Sequence, residues 1–439
     1  MKTLVVGLER SGLAALELLK AQGDQLLATD SRPLSQMPKA AGLLERLEVP
    51  FAPQSPAVFE QADRIVLSPG VPADLEPVEA ARRRGVEVIG EVELAGRYLK
   101  GKTIGVTGSN GKTTTTALVG HILREAGIPV QVGGNIGTAA AALVATSRAD
   151  QWNVLELSSF QLETIRCFRA EIGICLNVTP DHLDRHHSLE NYTAAKGRLF
   201  ETQHGEDYAV LNADDAACVG YASLTAGRPL WFSSTRAVTP GLWLEDAWLW
   251  FDGSPLMPAS EVPIRGRHNL ENTMAAAAAA RLAGVRLEAI AHAIRSFRAV
   301  EHRLEFVRTA RGVAYYNDSK ATNVDAALKA LDAFDGGLWV ILGGKDKDSD
   351  YRPLGNPLLK KAHAVLLIGA AAGKIAEQLD PAIPMLYCGT LLAAVNEARA
   401  RASAGDTVLL APACASFDQF DNYEHRGKVF KQIVGELEG

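Results

Sequence analysis

The sequence predicts an α/β protein of three domains in series, and three observations predict it. Short apolar runs alternate with amphipathic stretches along most of the chain, the pattern of strand–helix–strand units with parallel sheets. Glycine-containing turns follow two of those runs and lead straight into helical patterns, at Gly7-Leu-Glu-Arg-Ser-Gly12 and at Thr107-Gly-Ser-Asn-Gly-Lys-Thr113. The length, 439 residues, suits two to four domains at about 100–200 residues each. The expected set is a Rossmann-like N-terminal domain over 1–91, a central P-loop ATPase-like domain over 92–297 and a Rossmann-like C-terminal domain over 298–439.

In the first domain Thr3–Val6 reads as a strand, Leu13–Gln22 as a helix and Gln25–Thr29 as a strand ending at Asp30. Arg64–Leu67 and Glu87–Ile89 supply two more strands. The second domain opens with strand Thr103–Val106, the glycine turn and a helix from Thr114 to Ala126. Strands Trp152–Leu157 and Glu171–Asn177, helix Leu189–Glu201 and strand Tyr208–Leu211 follow. Between Leu230 and Arg265, Pro and Gly crowd together with Trp231, Trp243, Trp248 and Trp250, as in a short antiparallel sheet or an ordered loop. The Ala-rich stretch Asn269–Ala283 reads as a closely packed helix. After Phe297 the strands are Val313–Asn317, Trp339–Leu342, Ala364–Ile368 and Thr407–Leu410, with helix Val324–Ala333 and a last helix ending near Leu437.

Ligands of open α/β sheets gather at the carboxyl ends of strands. Polar clusters stand at six such ends: Asp30-Ser31-Arg32, Ser68-Pro69-Gly70, Glu156-Leu157-Ser158-Ser159, Asp318-Ser319-Lys320, Gly343-Gly344-Lys345 and Pro412-Ala-Cys-Ala-Ser416. Together they suggest one large cleft shared by the domains.

Composition narrows the function classes. With 47% hydrophobic and 22% charged residues, the chain reads as an ordinary globular protein. A net charge of −6 with interspersed signs argues against a broad nucleic-acid or membrane surface. Five scattered cysteines without a C-x-x-C pair fit a reducing compartment. The N-terminal apolar run is too short for a signal peptide, and no run reaches the ~18 residues of a membrane span. A cytoplasmic protein, expected as a monomer, follows.

The segment Thr107–Thr113 carries the most chemistry. Backbone N–H groups of Gly108, Ser109, Asn110, Gly111 and Lys112, with Thr113 and Thr114 opening the helix, form a cradle for phosphate oxygens. Lys112 would reach the terminal phosphates of ATP, and the Thr113 hydroxyl would ligate Mg²⁺. The form is T-G-x-x-G-K-T rather than the general motif, since Val106 stands where an earlier glycine is usual. Glu156, ending a buried strand of the same domain, suits a hard cation such as Mg²⁺, or else a helix cap or surface ion pair. His182 is a second metal-ligand or substrate candidate, while His186 and His187 read equally well as solvated. Lys196 looks like an ordinary helix lysine, and Arg303 either clamps a phosphate or pairs with Glu305. Gly7–Gly12 is close to a dinucleotide fingerprint with Asp30 as the ribose acid. Glu9, however, replaces the middle glycine that lets backbone approach a diphosphate. Another nucleoside diphosphate fits that crevice better than NAD(P), and a purely structural unit is the bland reading.

Taken together, Thr107–Thr113, Gly133-Gly-Asn-Ile-Gly137, Leu155–Glu163, His268-Asn269, Glu301-His-Arg303, Asn317–Asn323 and Pro412–Phe420 resemble the Mur ligase family. These are ATP-dependent enzymes that join an amino acid to a UDP-linked muramoyl precursor. The resemblance covers essentially the whole chain and is greatest to members that add glutamate to UDP-N-acetylmuramoyl-alanine; the D-N-P-R motif of the diaminopimelate-adding relative is absent. It implies that Ser11, Asp30, Ser31, Arg32, Ser68, Pro69 and Gly70 hold UDP, and that Asn135, Gln161 and His182 face the muramoyl-alanine part. Asn269 would contact adenine, Asp318 the ribose, and Arg303 and Lys320 the phosphates. Thr322, Lys347 and Ser416 would receive glutamate, D-glutamate being the family expectation, beside Phe417 and Tyr423, with Lys345 the alternative to Lys347. Glu156 and His182 match Mg²⁺ ligands, and Lys196 matches a lysine that CO₂ converts to a carbamate able to hold or position a second Mg²⁺.

The chemistry so implied makes an acyl phosphate from the alanyl carboxylate and ATP, then an amide by attack of the glutamate amine. It needs water excluded, and a hinge near Phe297 is the expected means. A folylpolyglutamate synthetase would carry its phosphate loop near the N-terminus, whereas a complete α/β unit precedes it here. Glu9 counts against a nicotinamide oxidoreductase, and a P-loop switch protein leaves the third-domain clusters unexplained.

Overall fold

The computed structural model describes residues 1–298 and 300–437. These form three sheets in two compact units, one of residues 1–259 with 271–295, the other of 260–270 with the chain from 296 onward.

The first sheet has four parallel strands in the order Gln25–Thr29, Lys2–Val6, Arg64–Leu67, Glu87–Gly90. Its strands are apolar on both faces because helices cover both, and Leu4, Val5 and Ile65 are wholly buried. The chain leaves Lys2–Val6 in one direction and Arg64–Leu67 in the other, so a crevice opens between their carboxyl ends. Helix Arg10–Ala21 starts directly there. A Cβ on Gly12 would lie 1.8 Å from the Gly7 carbonyl oxygen, so only glycine lets helix and strand meet this closely.

The second sheet has nine strands, ordered Ser254–Pro258, Trp248–Phe251, Gly241–Glu245, Arg228–Ser233, Tyr208–Asn212, Ile172–Cys175, Lys102–Thr107, Trp152–Glu156, Val130–Gly134. Strand Lys102–Thr107 is central to its parallel part, and Trp152–Glu156 is its direct neighbour. The tryptophan-rich region is not a separate sheet. Arg228–Ser233 and Gly241–Glu245 continue the parallel sheet, and only the last two strands turn antiparallel. Asp246 and Ala247, at φ 50° and 61°, make the two-residue hairpin that reverses the chain.

The third sheet runs Glu305–Ala310, Val313–Asn317, Thr407–Leu410, Leu338–Gly343, Ala362–Ile368, Met385–Gly389, parallel except for the first pair. Its order places the carboxyl ends of Val313–Asn317, Thr407–Leu410 and Leu338–Gly343 side by side, and with them three of the polar clusters. The strands Val130–Gly134, Glu305–Ala310 and Met385–Gly389 were not anticipated. Each is an edge strand, exposed on one side and so lacking the apolar run that marks its neighbours.

Candidate active site

The phosphate loop runs from the central strand into helix Lys112–Glu125. Gly108 and Gly111 sit at φ 146° and 88°, and a Cβ on Gly111 would meet Asn272 Oδ1 at 2.2 Å. The loop is fixed from behind: the Asn110 N–H donates to Asn177 Oδ1 (2.9 Å), and the Ser109 hydroxyl donates to the Thr179 carbonyl (2.9 Å). Thr113 donates its hydroxyl to Glu156 Oε2 at 2.7 Å, and Asn135 Nδ2 donates to Glu156 Oε1 at 2.9 Å. Glu156 is 2% exposed, and it caps no helix; Ser158 does so in a reciprocal capping box with Gln161. The hydroxyl, at the start of the helix after the phosphate loop, and the carboxylate, at the end of the neighbouring strand, are hard oxygen donors, the set that Mg²⁺ takes beside phosphate oxygens. The residues present fit that ion.

Lys112 folds back on its own loop, its Nζ donating to the carbonyls of Gly108 (2.7 Å) and Ser109 (2.8 Å). Lys196 is no ordinary helix lysine. It is 1% exposed, donates to the same Gly108 carbonyl at 2.9 Å and lies 4.4 Å from the Tyr192 ring centroid. Burial, and then the Lys112 charge, push its ammonium down to about 7. The signal was in the helix period: Lys196 follows Tyr192 by one turn and shares the buried face with Leu199 and Phe200.

His182, at φ 54°, opens the short helix Leu183–His186 and sets its ring edge-on to Phe160. His186 is buried rather than solvated, bonded to Ser159 Oγ at 2.9 Å and stacked on Phe160, whereas His187 is exposed. Gln161 spends its Oε1 on the Ser158 N–H and hydroxyl.

In the N-terminal crevice Asp30 is built into the wall. Its carboxylate accepts the Leu8 N–H (2.7 Å), the Arg32 N–H (2.9 Å) and Arg32 Nε (3.2 Å), and it is 5% exposed. Arg32 also pairs with Glu9 at 2.7 Å. Ser68 Oγ donates to the Gly7 carbonyl across the crevice floor, with Ser11, Ser31, Pro69 and Gly70 around it.

The second unit gathers its own set. Asp318 accepts the Leu304 N–H, and burial pushes its carboxyl up to about 7 against the pull of Arg303. Lys320 lies 3.7 Å from the Tyr423 ring centroid, and the Thr322 N–H donates to the Lys320 carbonyl. Asn269 is buried and donates to the Arg265 carbonyl at 2.6 Å. Ser416 is buried, Phe417 is 65% exposed, and Lys345 and Lys347 are both exposed. Sequence reasoning missed Arg426. It is wholly buried and donates to Ser319 Oγ (3.0 Å) and to the carbonyls of Ser319 (2.8 Å), Cys414 (3.1 Å) and Ala415 (3.3 Å). Its place one turn before Phe430 and two before Val434 marks the buried face of helix Tyr423–Gly435.

A phosphate loop beneath a lysine, with a carboxylate on the neighbouring strand, defines a P-loop nucleotide-binding protein. Domain models agree along the chain: the Mur ligase MurD-like N-terminal domain matches residues 1–90, the Mur ligase middle domain 106–280 and the Mur ligase glutamate ligase domain 302–414. The chain belongs to the Mur ligase family. It is 64% identical to the UDP-N-acetylmuramoylalanine–D-glutamate ligase of Solibacter usitatus, covering 100% of this chain and 98% of that relative. Identity to the enzyme of the same name from Acidobacterium capsulatum is 53%, over 99% and 96% of the two chains. Solved structures share the fold. The pseudomurein peptide ligase type C of Methanothermus fervidus superposes with TM-score 0.62 at 18% identity, each chain wholly covered. The UDP-N-acetylmuramate–alanine ligase of Thermotoga maritima gives 0.61 at 20%, over 99% of each. Among the described residues no helix is long and apolar enough to cross a membrane.

Proposed function

We propose that this chain is an ATP-dependent carboxylate–amine ligase that adds D-glutamate to the alanyl carboxylate of UDP-N-acetylmuramoyl-L-alanine, in peptidoglycan precursor synthesis. The observation that carries the chemistry is the Thr113–Glu156–Asn135 chain of hydrogen bonds beside the phosphate loop. Full-length identity to ligases of that name supports the substrates.

A free carboxylate is a poor acyl donor; transfer of the γ-phosphoryl group of ATP turns it into an acyl phosphate with a good leaving group. The N–H groups of residues 108–114 bind the phosphates, and Lys112 exchanges its two loop carbonyls for their terminal oxygens. Arg303 and Lys320 supply further positive charge, Asp318 takes the ribose and Asn269 the adenine. Thr113, Glu156 and His182 would hold Mg²⁺, and Lys196 would hold a second ion only as a carbamate, because an ammonium repels cations. When bound there, Mg²⁺ would supply positive charge against the phosphates and the transferring group. The UDP moiety lies in the N-terminal crevice among Ser11, Asp30, Ser31, Arg32, Ser68, Pro69 and Gly70, with Asn135, Gln161 and His182 toward the muramoyl-alanine. Thr322, Lys347 and Ser416, beside Phe417 and Tyr423, hold glutamate for attack of its amine on the acyl carbon, which expels phosphate. The protein works as a cytoplasmic monomer, where ATP and UDP-linked precursors are found.

The test is incubation with ATP, Mg²⁺, UDP-N-acetylmuramoyl-L-alanine and either enantiomer of glutamate, reading phosphate release and product mass together. Phosphate release that requires both substrates, with a product heavier by one glutamyl residue, is expected for D-glutamate. ATP binding without product from either enantiomer would refute the substrate assignment.

A further inference from the structure

We infer that Arg10 binds the diphosphate of the nucleotide substrate; this rests on the UDP-linked substrate proposed above and adds a residue where the chain departs from the dinucleotide fingerprint. The crevice that would take the nucleotide has a volume of about 760 Å³ and is lined by Arg10 and Arg32, with the acids Glu9 and Asp30. The charge of Arg32 is already spent. Its guanidinium lies between two carboxylates, 2.7 Å from Glu9 and 3.2 Å from Asp30.

Arg10 is placed differently. Its two terminal nitrogens donate to the carbonyls of Gly137 (2.7 Å) and Asn135 (3.0 Å), which are neutral acceptors. Among the described residues it forms no ion pair, and it is exposed. Two hydrogens of the guanidinium go to neutral carbonyls, and among the described residues no carboxylate lies within ion-pair distance, the buried Glu91 acting on it only through space. Much of the positive charge is therefore left for an anion in the crevice that Arg10 lines. Arg10 is also the first residue of helix Arg10–Ala21, whose N-cap Glu9 gives no side-chain cap, so the open N–H groups of the first turn add to the same field.

The substitution that weakens the fingerprint explains why a side chain is needed. A glycine at position 9 lets backbone touch a diphosphate; Glu9 puts a carboxylate there and turns it onto Arg32. Arg10 restores by side chain the attraction that Glu9 removes from the backbone. It also ties the turn to the 135–137 segment, so the diphosphate is held where the two walls meet.

Calorimetric titration with UDP and with uridine, on the wild type, R10A and R10K, tests this. Loss of one charge-assisted contact predicts that R10A binds UDP about ten- to a hundredfold more weakly while uridine binding is unchanged. R10K should recover part of the loss, keeping the charge without the fork. In turnover, KM for the UDP-linked substrate should rise while KM for ATP and glutamate stays put. An equal loss for UDP and uridine would show Arg10 to be only a strap between the walls, and no loss for UDP would show it idle; either overturns the inference. A wild type that binds no UDP but still uses ATP would instead sink the substrate reading, and the role of Arg10 with it.

Discussion

Lys112 and Lys196 donate to one and the same carbonyl oxygen, that of Gly108, at 2.7 and 2.9 Å. Two ammonium groups on one acceptor repel each other, and Lys196 is the buried one. Its lowered affinity for protons leaves part of it as free amine near neutral pH, the form that reacts with CO₂.

We propose on this ground that Lys196 works as a carbamate. K196M, which keeps the volume of the stem, should fold with near-normal melting temperature and lose at least about a hundredfold in kcat. Wild type depleted of bicarbonate should lose activity and regain it on bicarbonate addition, while K196M responds to neither. Unchanged turnover by folded K196M would remove the role.

Glu156 gives a prediction about metal. E156A removes a carboxylate whose two oxygens are both bonded, to Thr113 and Asn135. The Mg²⁺ concentration for half-maximal activity should rise at least about tenfold, with KM for glutamate little changed. Chelation of Mg²⁺ from wild type should stop turnover reversibly and leave the far-ultraviolet circular dichroism unaltered.

Asp318 gives a pH dependence. Burial raises its carboxyl from 3.8 to about 7, so the folded state holds a proton that the unfolded chain has released between those values. Stability therefore falls as pH rises from about 4 through about 7. D318N has no such group. Its melting temperature should gain on the wild type between pH 5 and pH 8 (about three units of pH), while its KM for ATP rises. Parallel pH profiles for the two proteins would refute the assignment.

Among the described residues Arg426 forms no ion pair, and it bonds three carbonyls and a hydroxyl instead. R426M takes the donor from the buried Ser319 and Cys414 carbonyls, while the Ala415 carbonyl keeps the Lys345 N–H, a loss on the order of 3 kcal/mol. Denaturant unfolding should show it, and because the 318–320 and 414–416 segments lose their common tie, KM for glutamate and for ATP should rise together.

The sheets were legible wherever strands are buried on both faces, because Leu338–Gly343 or Lys102–Thr107 can only be apolar runs. The edge strands Val130–Gly134, Glu305–Ala310 and Met385–Gly389 were not, since they lack such a run. The edge strands Gln25–Thr29 and Glu87–Gly90 of the first sheet are mostly buried and were read. The phosphate loop was legible because its glycines answer to backbone geometry, and Glu156 because it ends a buried strand. Lys196 and Arg426 were not read as buried, since composition treats a basic side chain on a helix as solvated. Only its phase relative to Tyr192 or Phe430 says otherwise. Asp30 was read as the ribose acid from spacing alone; the structure shows its lone pairs taken by Leu8 and Arg32, which no spacing reveals.

The antiparallel end of the nine-stranded sheet offers a site for labels. The Asp246-Ala247 hairpin joins strands four and five places removed from the phosphate-loop strand, about 19–24 Å at the usual strand spacing. A fluorophore or affinity tag inserted at that tip would stand along the same carboxyl edge of the sheet as the phosphate loop, displaced sideways from it by those strands and so clear of the nucleotide machinery.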